Sequence, residues 1–185
     1  MRRRLALLIG IILFAGFVVA VSPEEASANL AGYRWQNRTV CVEDHVNDYW
    51  WPLHKAVWHW DHWNSGTRTA LRASVHGDCS GWKHQVIVRP RWHCWIDGKD
   101  YAGYAAISAS DGWIVSPVRI CLNMTMRKAG SWWAHVRLGI VSHELGHAWG
   151  LAHTKYFSSV MCIADSCSGA ALPTTYDRRE INRLY

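Results

Sequence analysis

One stretch of the chain holds residues suited to metal chemistry: His143-Glu144-Leu145-Gly146-His147-Ala148-Trp149-Gly150-Leu151-Ala152-His153. On a helix, His143 and His147 differ by about 400° of rotation and about 6 Å of rise, so both imidazoles leave one face and can grip a single ion. Glu144 is turned by about 100° from His143, which puts its carboxylate near the ion without aiming at it. That placement suits a base acting on water better than a third ligand. His153 fails on a continuous helix, where it would lie about 15 Å along the axis from His143 and face away from His147. Gly150 removes the difficulty. Glycine takes a left-handed backbone at little cost, so the helix can stop, the chain can reverse and His153 can return to the ion. Three neutral nitrogens and a water make an open tetrahedral site of the catalytic kind. Zinc is the first choice and other first-row divalent ions come second, because three imidazoles serve hard cations poorly. A bare His-Glu-x-x-His also arises by accident on helices; the added Gly150 and His153 at fixed spacing carry the zinc reading.

These residues need elements to hold them. Trp132 to Trp149 reads as a long apolar helix with Gly150 just past its end. Upstream, Arg38 to Val42 reads as a first strand, and Pro52 suits the first turn of a helix whose Leu53, Ala56, Val57 and Trp60 recur at helical spacing. Asn64-Ser65-Gly66 closes that helix. Thr69 to Val75, Gln85 to Val88, Tyr101 to Ile107 and Val118 to Leu122 read as strands separated by Gly, Ser and Asp turn signals. Thr174 to Tyr185, with Ile181 and Leu184 on one side, reads as a short closing helix. No repeat, low-complexity stretch or Pro/Ser-rich linker divides the chain, so a single α+β domain is expected.

The chain has 185 residues, half of them hydrophobic and 18% charged, which excludes a disordered or fibrous protein. Thirteen Trp read as core and surface aromatics rather than a stacking platform. The formal charge of +6 includes no long basic run, so no nucleic-acid partner is expected. Arg2-Arg3-Arg4, the apolar run Leu5 to Val21 and the small residues Ala26-Ser27-Ala28 read as a secretory signal over residues 1–28. Val18-Val19-Ala20 offers a second cleavage site, and an uncleaved signal-anchor is the alternative. Cleavage leaves a domain over 29–185 outside the cell, without stable membrane association and expected to be a monomer. Cys41, Cys79, Cys94, Cys121, Cys162 and Cys167 then read as disulfide staples, with pairing open apart from a local Cys162–Cys167 loop.

The His-Glu-x-x-His-x-x-Gly-x-x-His pattern resembles that of the metzincin zinc endopeptidases. Ser158-Ser159-Val160-Met161 is similar to their Met-turn, and its separation from His153 looks like the matrixin branch. Pro173-Thr174-Thr175-Tyr176-Asp177, with Ile181 and Leu184-Tyr185, resembles the matrixin closing helix. The specific likeness covers residues 143–185. It implies a zincin-like catalytic domain: a mixed twisted sheet, an active-site helix, a Met-turn and a C-terminal helix. It also implies one catalytic Zn2+ on His143, His147 and His153, Glu144 as general base, and a protein or peptide substrate. Gly150, Met161 and Asp177 would support the site, Asp177 by tying the last helix to the Met-turn. Substrate would lie along an edge strand, for which Tyr101 to Ile107 is the candidate, and residues 162–173 would wall the specificity pocket.

Many matrixins carry a pro-segment with a zinc-blocking Cys, and none is expected between Ala28 and the first strand. Many also hold a structural zinc and calcium. Asp97-Gly98 and Tyr101-Ala102-Gly103-Tyr104 resemble that region only loosely, without the family's histidine, so a second zinc is not expected. Calcium at Asp97, Asp100 or Asp111 stays open, and disulfides are expected to do the stapling. Tyr156 precedes Met161, whereas metzincin relatives place an oxyanion-stabilising Tyr after their Met. His59 and His62 read as a solvated helix face, and His93 as a loop residue. Two other functions stay open: a zinc amidohydrolase acting on cell-wall peptides, and a non-catalytic binding protein on the same fold. The intact Glu144 argues against the latter.

Overall fold

A computed structural model describes the chain except residues 1–29, 47–49, 64–66, 126–133, 164–166 and 168. The signal read over residues 1–28 therefore lies outside the described residues. The strands are β1 (Thr39–Asp44), β2 (His62–Trp63), β3 (Thr67–Arg68), β4 (Arg72–His76), β5 (Gln85–Arg91), β6 (Trp95–Ile96), β7 (Lys99–Asp100), β8 (Gly103–Ser110) and β9 (Trp113–Asn123). The helices are α1 (Leu53–Asp61), α2 (Ala134–Ala148) and α3 (Thr175–Leu184).

The main sheet has the order β4-β1-β5-β9-β8. β4, β1, β5 and β9 are mutually parallel, and β8 runs antiparallel to β9, leaving β8 as an edge. This mixed α/β arrangement is compatible with the expected α+β class. Alternation sets the faces. Val40 and Val42, Val86 and Val88, and Val118, Ile120 and Leu122 are buried, while Arg89, Arg91 and Arg119 on the opposite face are exposed. The core also takes Leu53, Ala56, Val57 and Trp60 of α1 and Leu138, Val141, Leu145 and Ala148 of α2. Trp60 locks the two helices together, its Nε1 donating to the Ser142 carbonyl at 2.9 Å.

Two local readings change, and the Asp and Gly turn signals between strands resolve into hairpins. Thr69 does not begin a strand: its hydroxyl donates to the carbonyls of Trp60 and Leu71, which makes a turn, and β4 starts at Arg72. The first helix ends at Asp61, ahead of Asn64, because His62 is already extended (φ −114°, ψ 134°) and enters β2. The Asp-Gly pairs are hairpin turns. Asp97 and Gly98 (φ 48° and 75°) join β6 to β7, and Asp111 and Gly112 (φ 51° and 76°) join β8 to β9, as tight two-residue turns require.

The cysteines form Cys41–Cys79, Cys94–Cys121 and Cys162–Cys167, the last being the local loop read from the sequence. Sequence separations of 38 and 27 give the first two bridges roughly 4 kcal/mol each by restricting the unfolded chain. Reduction should therefore lower the thermal midpoint steeply, and unchanged melting in excess thiol would refute that stapling role. Three bridges suit an oxidising compartment. No helix among the described residues is long and apolar enough to cross a membrane.

Candidate metal centre

The end of α2 is built to stop and turn. Its last carbonyls cannot bond within the helix and must find other donors. The N–H of Gly150 bonds the His147 carbonyl at 2.9 Å and that of Leu151 the Gly146 carbonyl at 3.0 Å, the paired bonds of a Schellman ending. Trp35 Nε1 donates to the Ala148 carbonyl at 2.9 Å and the Tyr185 hydroxyl to that of Trp149 at 3.0 Å. Gly150 has φ +99°, and a Cβ there would run into the Tyr33 carbonyl oxygen. The chain thus reverses at Gly150 and carries His153 back towards the helix.

The Nε2 atoms of His143, His147 and His153 form a triangle with sides of 3.1, 3.2 and 3.0 Å. His143 Nδ1 lies 2.8 Å from the Val160 carbonyl and His147 Nδ1 2.8 Å from that of Leu151. A carbonyl only accepts, so each Nδ1 carries the proton and each neutral ring turns an Nε2 lone pair inward. Burial pushes the His147 imidazole down to about 4 and also lowers His143 and His153, which keeps the rings neutral near neutral pH. Inward lone pairs at this spacing repel unless a cation lies between them. Metal–nitrogen distances of about 2.0–2.1 Å in tetrahedral geometry set neighbouring nitrogens about 3.3 Å apart, close to the triangle found. The donor set therefore fits a divalent ion. Among the described residues it is the one cluster of three or more His, Cys, Asp or Glu side chains close enough to hold a metal.

Glu144 is 7% exposed, and burial pushes its carboxyl up to about 8, opposed by a hydrogen bond from the Ala105 backbone. A cation held by the three rings would act in the opposite direction and favour the carboxylate. The edge strand β8 passes directly over it: a Cβ on Gly103 would meet Glu144 Oε1 at 3.1 Å. A cavity of about 460 Å³ opens beside Glu144, walled by Tyr101 to Gly103, by Val136, Gly139 and Ile140 of α2, and by Gly169 and Ala170.

Met161 is fully buried against Gly146, which lies between His143 and His147 in the chain; a Cβ on Gly146 would collide with its sulfur. The turn holding Met161 is fixed from α3. Asp177 accepts from the Ser159 hydroxyl, from the Val160 N–H at 3.1 Å, and from the backbone and hydroxyl of Thr174 at 2.8 Å each. A path of hydrogen bonds thus runs from Asp177 through Val160 to the His143 ring. Asp177→Ala should strand several buried donors and destabilise the fold by about 3 kcal/mol. It should also weaken metal binding by roughly 10–100-fold, read by competition with a chelating dye. Retained affinity in a folded variant would show that the path does not orient His143.

Sequence reading gave no role at the site to Gly103, Gly146, Trp35 or Trp60, and it noted Ser159 only as part of the Met-turn-like segment. Gly146 carries the clearest signal, as a glycine inside a helical pattern that needs a packing reason. The side candidates lie elsewhere. Tyr156 stacks on Tyr176 with ring centroids 4.4 Å apart. His62 stacks on Trp58 beside Asp61. His93 pairs with Asp100, whose other oxygen accepts from the Cys94 N–H and Asn123 Nδ2. No protein-family model matches the chain, and no curated protein matches it.

Proposed function

We propose that the protein is a secreted zinc-dependent endopeptidase resembling the matrixin branch of the metzincins. The observation that carries this reading is the triangle of three inward-facing imidazole nitrogens with Glu144 beside it. The mostly parallel sheet with an antiparallel edge strand, the buried Met161 packed against Gly146 and the disulfides support it. His143, His147 and His153 would hold the ion. When bound, zinc lowers the pKa of water towards about 7 and polarises a carbonyl.

The chain's own groups do the rest. The free edge of β8 offers backbone N–H and C=O groups to an extended peptide, adding a strand alongside Glu144. The neighbouring cavity, whose walls are largely apolar, would seat one substrate side chain. Glu144 accepts a proton from the attacking water and delivers it to the departing amine, so the amine leaves neutral. Its burial beneath Gly103 keeps bulk water from competing for that proton.

Metal analysis of the purified protein, paired with a peptide-digest assay, tests the reading. One zinc per chain is expected, with turnover lost on chelation and restored by zinc. A chain that retains no zinc, or turnover that survives chelation, would overturn it. Cleavage of cell-wall peptides but not protein-derived ones would move the assignment to an amidohydrolase.

A further inference from the structure

On the sheet face turned away from α2, a cavity of about 360 Å³ lies over β5 and β9. Ile87, Arg89 and Arg91 of β5 share this face, opposite the buried Val86 and Val88, and Arg119 of β9 lies in register with Ile87. Arg119, Arg89 and Arg91 therefore advance along the sheet in steps of about 6.6 Å, a row about 13 Å long. The β6–β7 hairpin forms the wall, pinned by Cys94–Cys121, and Cys121 is the register partner of Arg89. Asp100 holds the His93 ring through Nδ1 at 2.7 Å, leaving Nε2 for another partner. Trp95, 58% exposed, and Tyr104 complete the lining.

None of the three arginines has a hydrogen bond or ion pair among the described residues. The acids on flanking elements are engaged elsewhere. Glu43, in register with Ile87, bonds His45 and the Cys79 N–H, and Asp100 bonds His93, Cys94 and Asn123. Each arginine lies within about one Debye length of its neighbour in the row, so adjacent charges repel, and an anionic partner relieves that repulsion. Guanidinium forks match the paired oxygens of sulfates and carboxylates. An open indole beside them offers a flat apolar surface to a sugar ring.

We propose that this groove binds an anionic polysaccharide, with its sulfate or carboxylate groups on Arg119, Arg89 and Arg91 and a sugar ring against Trp95. An acidic peptide would use the charges but not the indole. A single-stranded nucleic acid would call for a stacking ring at each base step, whereas Trp95 is the one indole lining the groove among the described residues. The site is separate from the metal centre and would anchor the protein to a charged matrix without taking part in hydrolysis.

Calorimetric titration of the full protein with a heparin hexasaccharide tests this, with polyglutamate and a single-stranded oligonucleotide of equal charge as comparison arms. Binding of the hexasaccharide should fall roughly twentyfold between about 50 and 200 mM salt if three ion contacts form. The double variant Arg89→Gln/Arg119→Gln should lose about tenfold or more at low salt, as should Trp95→Ala on the sugar arm alone. The charge-matched Lys155→Gln/Arg179→Gln, outside the groove, should bind as the parent does. Equal loss in that control would reduce the effect to net charge and overturn the proposal. No sugar binding, or binding of polyglutamate or the oligonucleotide as tight as the sugar, would overturn it too. Metal content should be unchanged in every variant.

Discussion

Glu144→Gln should leave zinc binding and folding intact and reduce peptide hydrolysis by about three orders of magnitude. The two side chains are nearly the same size, and Gln can still accept the hydrogen bond from the Ala105 backbone. Gln cannot take up a proton from water, and general acid–base steps are worth about 10²–10⁴ in rate. The substitution also removes a buried ionisable group, so stability should hold or rise slightly. The measurement is kcat on a quenched peptide beside metal content and thermal midpoint. Activity equal to the parent, with zinc still bound, would remove Glu144 from the mechanism. Loss of zinc would place Glu144 among the groups that build the site instead.

The second large effect is expected at the bend. Gly150→Ala places a side chain at φ +99°, a backbone state that costs about 1–3 kcal/mol for other residues. The new Cβ also drives into the Tyr33 carbonyl, which is backbone and cannot swing aside. Together these should destabilise the fold by about 4 kcal/mol. The displacement falls on the segment that carries Leu151 and His153, so metal affinity should drop as well. Gly81→Ala separates the two causes. Gly81 also has positive φ (+85°) but open space around its Cβ position, so about 1 kcal/mol and full metal affinity are expected. Gly150→Ala behaving like Gly81→Ala in thermal melts and metal titrations would mean that the chain can turn there without a glycine.

The pairing of His143 with His147, the offset of Glu144 and the need for a break at Gly150 were legible in the sequence because helix periodicity and glycine's freedom act over a few residues. So, within a few residues at their ends, were the five strands of the main sheet and the local Cys162–Cys167 loop, but not the short pairs β2–β3 and β6–β7. Tertiary structure alone decided the rest. It placed the Val160 carbonyl on His143, 17 residues away in the chain, and Asp177 on Val160, another 17 on. It crowded Gly103 and Gly146, since the Glu144 and Ile140 side chains press on the first and the Met161 side chain on the second only once β8 and the turn are docked. It chose Cys41–Cys79 and Cys94–Cys121, and it gathered Arg89, Arg91 and Arg119 into one row although they form no run in the sequence. Backbone periodicity is a property of neighbours along the chain. Close approach, hydrogen-bond partnership and charge clustering depend on which distant segments pack together, and many packings share one local pattern.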